Sequence, residues 1–231
     1  MIVEIIAITP DDVAVAAAAG ADRIELVSGI AEGGLTPSAG LIEAAVQAAA
    51  IPVNVMIRPH SQSFRYNEAD QLVMLRDIEV ARAAGAAGIV IGLLNDEGEI
   101  DRAALERMLA AASGMDVTFH RAFDELQDQA DGLRVLSEYK AISRVLTAGG
   151  LRPAPESCDQ LRMLQELSAQ LGGPRIMGGY GLNADNAAEL VKKTGVPEVH
   201  FGSGARLNGS FQYGVDVSAV ERIRSNWPMR A

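Results

Sequence analysis

The chain's only imidazoles are His60, His120 and His200, and each stands at or just past the end of a short β-branched run, at 53–57, 116–120 and 197–201. Histidine changes charge near neutral pH, which suits it to acid–base work and to metal ligation. Carboxylates at Glu4, Glu25 and Asp124, and guanidinium groups at Arg58 and Arg121, lie in or beside runs of the same kind. Three chemistries follow from these types. His120 and His200, with the carboxylates, offer nitrogen and oxygen ligands to a metal from separate segments, although neither an HExxH nor a CxxC accompanies them. Glu4 and Glu25, if adjacent, form a carboxyl pair in which one pKa is raised unless Arg58 neutralises it, and His120 beside Arg121 is placed to act as a general base next to an anion-holding group. The glycine-rich segments 177–181 and 201–206 offer the backbone of Gly179, Gly181, Ser203 and Gly204 to a phosphate or other anion, with Arg206 adding charge.

Each chemistry has a plainer counterpart. The charged groups also make sense as an internal ion-pair network involving Arg58 and Arg121, and the glycines as tight turns. Nucleophilic catalysis has little to draw on. Cys158 falls in the helical segment 156–171, and Ser203 lacks a GxSxG setting. Met56 and Met177, the sulfurs on runs, read as packing.

The elements that must position these groups are legible as a repeat. Runs at 2–6, 23–27, 53–57, 88–91, 116–120, 143–147, 174–178 and 197–201 alternate with Ala/Leu/Glu-rich segments of helical spacing, long enough to cross over between parallel strands. Thr9-Pro10-Asp11-Asp12 predicts a helix start, with an N-cap, a proline at the first helical position and acids at the positive end of the dipole. Gly20, Gly85, Gly114 and Gly195 stand just before runs, where a left-handed residue ends a helix. Eight βα units without an internal linker predict a single α/β domain over residues 1–231, a (β/α)8 TIM barrel. A doubly wound open sheet is the rival.

Strand alternation sorts the groups further. Asn54, Met56, Arg58 and His60 share one side of their run, and Val53, Val55 and Ile57 the other. The same sorting turns Glu4, Glu25, Thr118, His120 and His200 inward, and Val3, Ile5, Ile24, Leu26, Val117, Phe119, Val199 and Phe201 toward the helices. An isolated buried charge costs on the order of several kcal/mol, so the inward groups must compensate one another or bind something. Barrel active sites lie at the C-terminal ends of strands, where the histidines fall.

Composition removes several function classes. With 20 Lys plus Arg against 30 Asp plus Glu, the formal net charge is −10, the wrong sign for holding a phosphate backbone, so no nucleic-acid partner is expected. One cysteine cannot form an intrachain disulfide. The first residues, Met1 to Ile6, carry Glu4 within their apolar stretch and no basic leader, and no apolar run approaches the roughly 20 residues of a membrane span. A cytoplasmic protein without a membrane partner is expected.

Several segments together resemble one family. They are Ala21-Asp22-Arg23-Ile24-Glu25-Leu26, Glu32-Gly33-Gly34-Leu35-Thr36-Pro37-Ser38, Ile57-Arg58-Pro59, Val117-Thr118-Phe119-His120-Arg121-Ala122-Phe123-Asp124, Arg144-Val145-Leu146-Thr147 and Glu198-Val199-His200. In this order, over nearly the full length, they are similar to the CutC copper homeostasis family. The resemblance implies a cytoplasmic barrel, often a homo-oligomer, with a copper-binding role. It maps the family's motif residues onto Glu4, Glu25, Arg58, His120, Arg121, Asp124 and His200. Family members commonly carry cysteines near the ends of the first two strands, where this chain has Ile6 and Val27, which removes the thiolates that favour Cu(I). After Arg58-Pro59 the chain reads His60-Ser61-Gln62-Ser63-Phe64, another departure. Two expectations therefore stand side by side: a metal-binding copper homeostasis protein, or an enzyme acting on a small anionic or phosphorylated substrate by acid–base chemistry. A partner-binding module is a third.

Overall fold

The structure, a computed structural model, describes residues 1–227. Eight parallel strands form it: β1 (Ile2–Ala7), β2 (Arg23–Leu26), β3 (Val53–Met56), β4 (Gly88–Ile91), β5 (Asp116–Phe119), β6 (Ile142–Thr147), β7 (Arg175–Gly179) and β8 (Glu198–Phe201). They close in chain order, with β1 bonded to both β2 and β8. The barrel is therefore a (β/α)8 TIM barrel, and the β1–β8 pairing excludes the open sheet. Between the strands run α1 (Pro10–Ala18), α2 (Ala39–Ala48), α3 (Glu68–Ala83), α4 (Arg102–Ala111), α5 (Gln129–Ser137), α6 (Cys158–Leu171), α7 (Ala187–Thr194) and α8 (Val217–Ser225). No helix among the described residues is long and apolar enough to cross a membrane.

Local signals start and stop these units as the sequence predicts. Thr9 caps α1, its hydroxyl accepting from the Asp12 N–H at 3.1 Å, with Pro10 in the first turn. Gly20, Gly85, Gly114 and Gly195 all have positive φ, a backbone region that costs glycine little. The outward strand faces, among them Val3, Ile5, Ile24, Leu26, Val55, Ile89, Phe119, Val199 and Phe201, are buried in one continuous apolar layer under the helices.

The inward faces are different. The lower lumen, toward the strands' N-terminal ends, is a chain of ion pairs. Arg23 bonds Glu4 through Nε and Glu198 through Nη2, the latter at 2.5 Å. Arg144 bonds Glu198 at 3.0 Å, Asp116 at 2.5 Å and the Thr118 hydroxyl at 2.8 Å. Asn54 donates to Asp116 at 3.0 Å, and Arg175, half-exposed below, donates to the other Glu198 oxygen at 2.5 Å. Arg23, Arg144 and Arg175 thus balance Glu4, Glu198 and Asp116. Every member has a partner of opposite charge, which is the condition for keeping such groups out of water.

A second buried pair locks the last unit onto the first. Arg206 donates to both Asp12 oxygens, at 2.9 and 3.4 Å, and to the carbonyls of Ile6 and Tyr213. Asp12 also accepts the N–H groups of Ile8 and Val215. The segments after β1 and β8 are thereby clamped together at the barrel's upper rim.

Glu198 serves three arginines at once. Replacing it by Gln should cost about 3–5 kcal/mol, because removing one partner leaves buried charge uncompensated. Urea unfolding of Glu198→Gln against the wild type checks this, and a loss under about 1 kcal/mol would show that the ion chain is not a structural element.

Candidate functional site

Above the ion chain the lumen opens into a cavity of about 410 Å³ at the C-terminal ends of the strands. Its walls mix apolar groups (Ile6, Ile30, Met56, Leu146, Leu182) with the rings of Phe64, Tyr180 and Phe211. Its polar groups are Glu25, Glu32, Arg58, His120, Arg121, His200 and Ser203. A concave, largely apolar site with a few convergent polar groups is the usual form of a small-molecule pocket.

Glu25 and His200 reach the cavity from β2 and β8. Glu4 holds the imidazole from below, with His200 Nδ1 2.8 Å from Glu4 Oε1. Burial works against the charge on Glu4, but Arg23 and His200 hold its carboxyl down to about 2. Glu4 is therefore ionised, His200 Nδ1 is the donor, and Nε2 faces Glu25 Oε2 at 3.7 Å. Burial pushes the Glu25 carboxyl up to about 7, reinforced by Glu4 and opposed by His200 and Arg23. His200 is desolvated too, but the Glu25 and Glu4 carboxylates outweigh that and raise its pKa. Glu25 is thus placed to take up or release a proton near neutral pH, and its Oε1 is buried with no hydrogen-bond partner among the described residues.

His120, from the end of β5, is of the opposite kind. Its Nδ1 accepts the Ala122 N–H at 3.0 Å, which places the ring proton on Nε2. Burial, with Arg58 and Arg121 nearby, lowers its pKa to about 3. His120 is thus a neutral hydrogen-bond donor whose Nε2, buried and without an acceptor among the described residues, lies in the cavity wall. A Cβ on Gly92 would collide with this ring, so only glycine on β4's extension leaves it space.

Arg58, two residues past β3, has its Nη1 fixed by the carbonyls of Glu32 and Gly34 at 2.8 and 3.1 Å. Its guanidinium lies 4.7 Å from the Phe64 ring centroid, and the same ring is 5.0 Å from His120. Four arginines are buried among the described residues. Arg23, Arg144 and Arg206 face carboxylates, and Arg58 does not. Its Nε is buried without an acceptor.

The structure redistributes the other sequence-predicted groups. Arg58 does not neutralise Glu4 and Glu25; Arg23, at the start of β2 below Glu25, does that for Glu4. His120 and Asp124 stand outside the group of ligand-bearing side chains, which comprises Glu4, Glu25 and His200 with donor atoms within 4.8 Å of one another. Asp124 is consumed locally. It pairs with Arg121 at 2.7 Å and accepts from the Thr147 hydroxyl and the Ala148 N–H, fixing the loop after β5. Arg121 retains its Nη groups and lies 4.2 Å from the Tyr180 ring, whose backbone has a φ of 78°.

Arg206 adds no charge to the cavity, because its guanidinium is bound to Asp12. Gly181, with positive φ, and Ser203 line the cavity, whereas Gly179 and Gly204 answer to packing. A Cβ would run into the Leu146 side chain in the first case and the Leu182 carbonyl in the second. His60 turns away to Asp70, at 3.5 Å, and Tyr66. Cys158 begins α6, its thiol 3.4 Å from the Pro155 carbonyl. Arg23, Arg144 and Glu198, on the inward parity of β2, β6 and β8, are members that sequence reasoning misses, and alternation carried as far as the first residues of the runs would find them. Ile6 and Val27 belong to an apolar ring with Met56, Val90, Ile8 and Ile30 around the mouth.

A family model described as the CutC family matches residues 1–205. Proteins named for CutC are 44% identical over 191 residues in Rhizobium meliloti (strain 1021), spanning 83% of this chain and 76% of that protein, and 44% over 199 residues in Pasteurella multocida (strain Pm70), spanning 86% and 80%. A crystal structure described as a copper homeostasis protein, CutC, from Streptococcus agalactiae superimposes with a TM-score of 0.81 at 32% identity, over 87% of this chain and 98% of that one. Phosphoribosyl anthranilate isomerase from Thermococcus kodakaraensis, at 15% identity and a TM-score of 0.67 over 98% of each chain, shares the fold alone.

The opposed pKa shifts set a pH signature. The native state keeps the Glu25 proton between pH 4.5 and about 7 while the unfolded chain has lost it, so this group's contribution to stability falls as pH rises through that window. His120, neutral when folded, acts with the opposite sign between about 3 and 6.5. In Glu25→Gln the Glu25 contribution is removed, while those of His120 and of His200, still bonded to Glu4, remain. The variant's unfolding free energy, measured in urea from about pH 5 to 7, should climb relative to the wild type by up to about 1.4 kcal/mol per pH unit. Parallel profiles would contradict the burial of a protonated Glu25.

Proposed function

The chain belongs to the CutC family, and on that premise we propose that its barrel mouth binds a small organic anion and exchanges a proton with it. Arg58 carries this reading. A guanidinium held out of water by two carbonyls, with no carboxylate facing it among the described residues, is stabilised by an anion brought from outside. His120 Nε2 donates to an oxygen of the bound molecule without changing charge. Glu25, whose carboxyl titrates near neutral pH, and His200, whose imidazole the carboxylates bias toward its charged form, supply a proton acceptor and a proton donor across the cavity. Glu4 and Arg23 position His200, in the way a buried carboxylate orients an imidazole in a catalytic triad. The reaction class is proton transfer beside an oxygen that His120 polarises.

Copper homeostasis, the role for which the Streptococcus agalactiae protein is named, is the second reading, and the Glu4–Glu25–His200 group is the observation in its favour. The donor chemistry fits copper poorly. Both Glu4 oxygens are engaged, by Arg23 and His200, which leaves His200 Nε2 and Glu25 as free donors of that group. Cu(I) prefers sulfur, and Ile6 and Val27 occupy positions where thiolates would stand. Among the described residues Met56 is the one sulfur in the cavity wall.

Two measurements separate the readings. Thermal shift with small carboxylates and phosphate esters should stabilise the wild type and leave Arg58→Met unmoved; equal shifts in both proteins would remove Arg58 from the binding site. Elemental analysis of protein dialysed against copper should find well under one equivalent retained, and a stoichiometric ion lost in His200→Ala would favour the copper role instead.

A further inference from the structure

Charge and wall chemistry narrow the ligand class. Arg121 is neutralised by Asp124, and Arg206, beyond the cavity, by Asp12. Glu4 is bonded by Arg23 and by His200, which also faces Glu25 at 3.7 Å, and His120 takes the Ala122 N–H on Nδ1 and so presents a neutral ring. Glu32, the remaining charged group of the wall, is exposed at the rim and accepts the Ser61 hydroxyl at 2.6 Å. Among the described residues one buried guanidinium, that of Arg58, is left without a carboxylate partner. A monoanion matches it, whereas a dianionic phosphate ester would bring a second charge into a site that holds nothing to meet it.

The donor geometry is consistent with that count. With Nη1 committed to two carbonyls, Arg58 has Nε and Nη2 left, the parallel pair of donors that grips a carboxylate through both oxygens. Glycines near β7 and β8, where barrels often seat phosphate, are explained by packing at Gly179 and Gly204. Meanwhile the 410 Å³ cavity is walled by Phe64, Tyr180 and Phe211 and by aliphatic groups. A two- or three-carbon acid would leave most of that apolar wall against water, which forfeits the burial energy that it offers.

Resting on the anion-binding reading above, we propose that the ligand is a monocarboxylate with an aromatic or bulky aliphatic body, its carboxylate on Arg58 and its apolar part between the Tyr180 and Phe211 sides of the mouth. Tyr180 is half-exposed and belongs to no packed core, and its left-handed backbone suits asparagine. Tyr180→Asn therefore probes the body site without disturbing the fold.

Calorimetric titration of the full chain with four probes tests this: phenylpyruvate, pyruvate, phenyl phosphate and inorganic phosphate. Phenylpyruvate should bind at least tenfold more tightly than pyruvate and than phenyl phosphate. Arg58→Met should abolish its binding, and Tyr180→Asn should weaken it severalfold while leaving pyruvate unchanged. Circular dichroism melting confirms that each variant is folded, and Arg58→Lys, which keeps the charge but loses the paired donors, should recover only part of the affinity. If phenyl phosphate binds as tightly as phenylpyruvate, or more so, and loses that affinity in Arg58→Met, the monocarboxylate assignment falls while the anion site stands. If no probe binds, or binding is unchanged in folded Arg58→Met, both fall.

Discussion

Charge buried inside a closed barrel must be balanced, and this constraint organises the molecule from its floor to its mouth. The lumen of a TIM barrel is a packed core, yet here it is packed with ions. Arg23, Arg144 and Arg175 run against Glu4, Glu198 and Asp116, each held by partners contributed from neighbouring or facing strands. The compensation is complete in the lower lumen and stops at the cavity. Above it stand a buried carboxyl and an imidazole 3.7 Å apart, and one guanidinium that no carboxylate among the described residues faces.

This gradation explains why neighbouring carboxyls behave so differently. Glu4 and Glu25 come from adjacent strands and are both buried, but Arg23 bonds the first and not the second. One is a permanent anion that orients His200, and the other is poised to gain or lose a proton. The two cavity histidines diverge for a similar reason. His200 faces carboxylates and its affinity for a proton rises, while His120 faces arginines and a backbone N–H and stays neutral. Separate acid–base and hydrogen-bonding roles thus arise from one residue type through what each ring touches.

Much of the architecture can be read from the sequence because it is local. Eight βα repeats, the Thr9-Pro10 cap and the glycines before strands depend on residues a few positions apart. Period-two alternation correctly turns Glu4, Glu25, His120 and His200 toward the lumen. It loses force where the backbone leaves the strand. Arg58 lies past β3, and its guanidinium is set by carbonyls 24 and 26 positions earlier in the chain. Arg206 is a candidate anion ligand on local grounds, and its true partner, Asp12, is 194 positions away. Glycines carry the same ambiguity, since a residue that approaches a ligand and one that approaches another loop look alike until the neighbour at Gly204, the Leu182 carbonyl, is in view. Arg23, Arg144 and Glu198 obey the alternation rule, but at or near the first residues of their runs, where a charged group also reads as the solvated end of a strand.

The central claim is that Arg58, alone among the buried arginines described, awaits its counter-charge from a ligand. The most direct measurement follows the guanidinium Nε–H signals of Arg23, Arg58, Arg144 and Arg206 by ¹⁵N NMR during a titration with an aromatic carboxylate. The account predicts a saturable shift and slowed hydrogen exchange at Arg58, with Arg23 and Arg144, already bonded to Glu4 and Glu198, unmoved. An Arg58 signal that never responds, or that is already protected before any ligand is added, would contradict it.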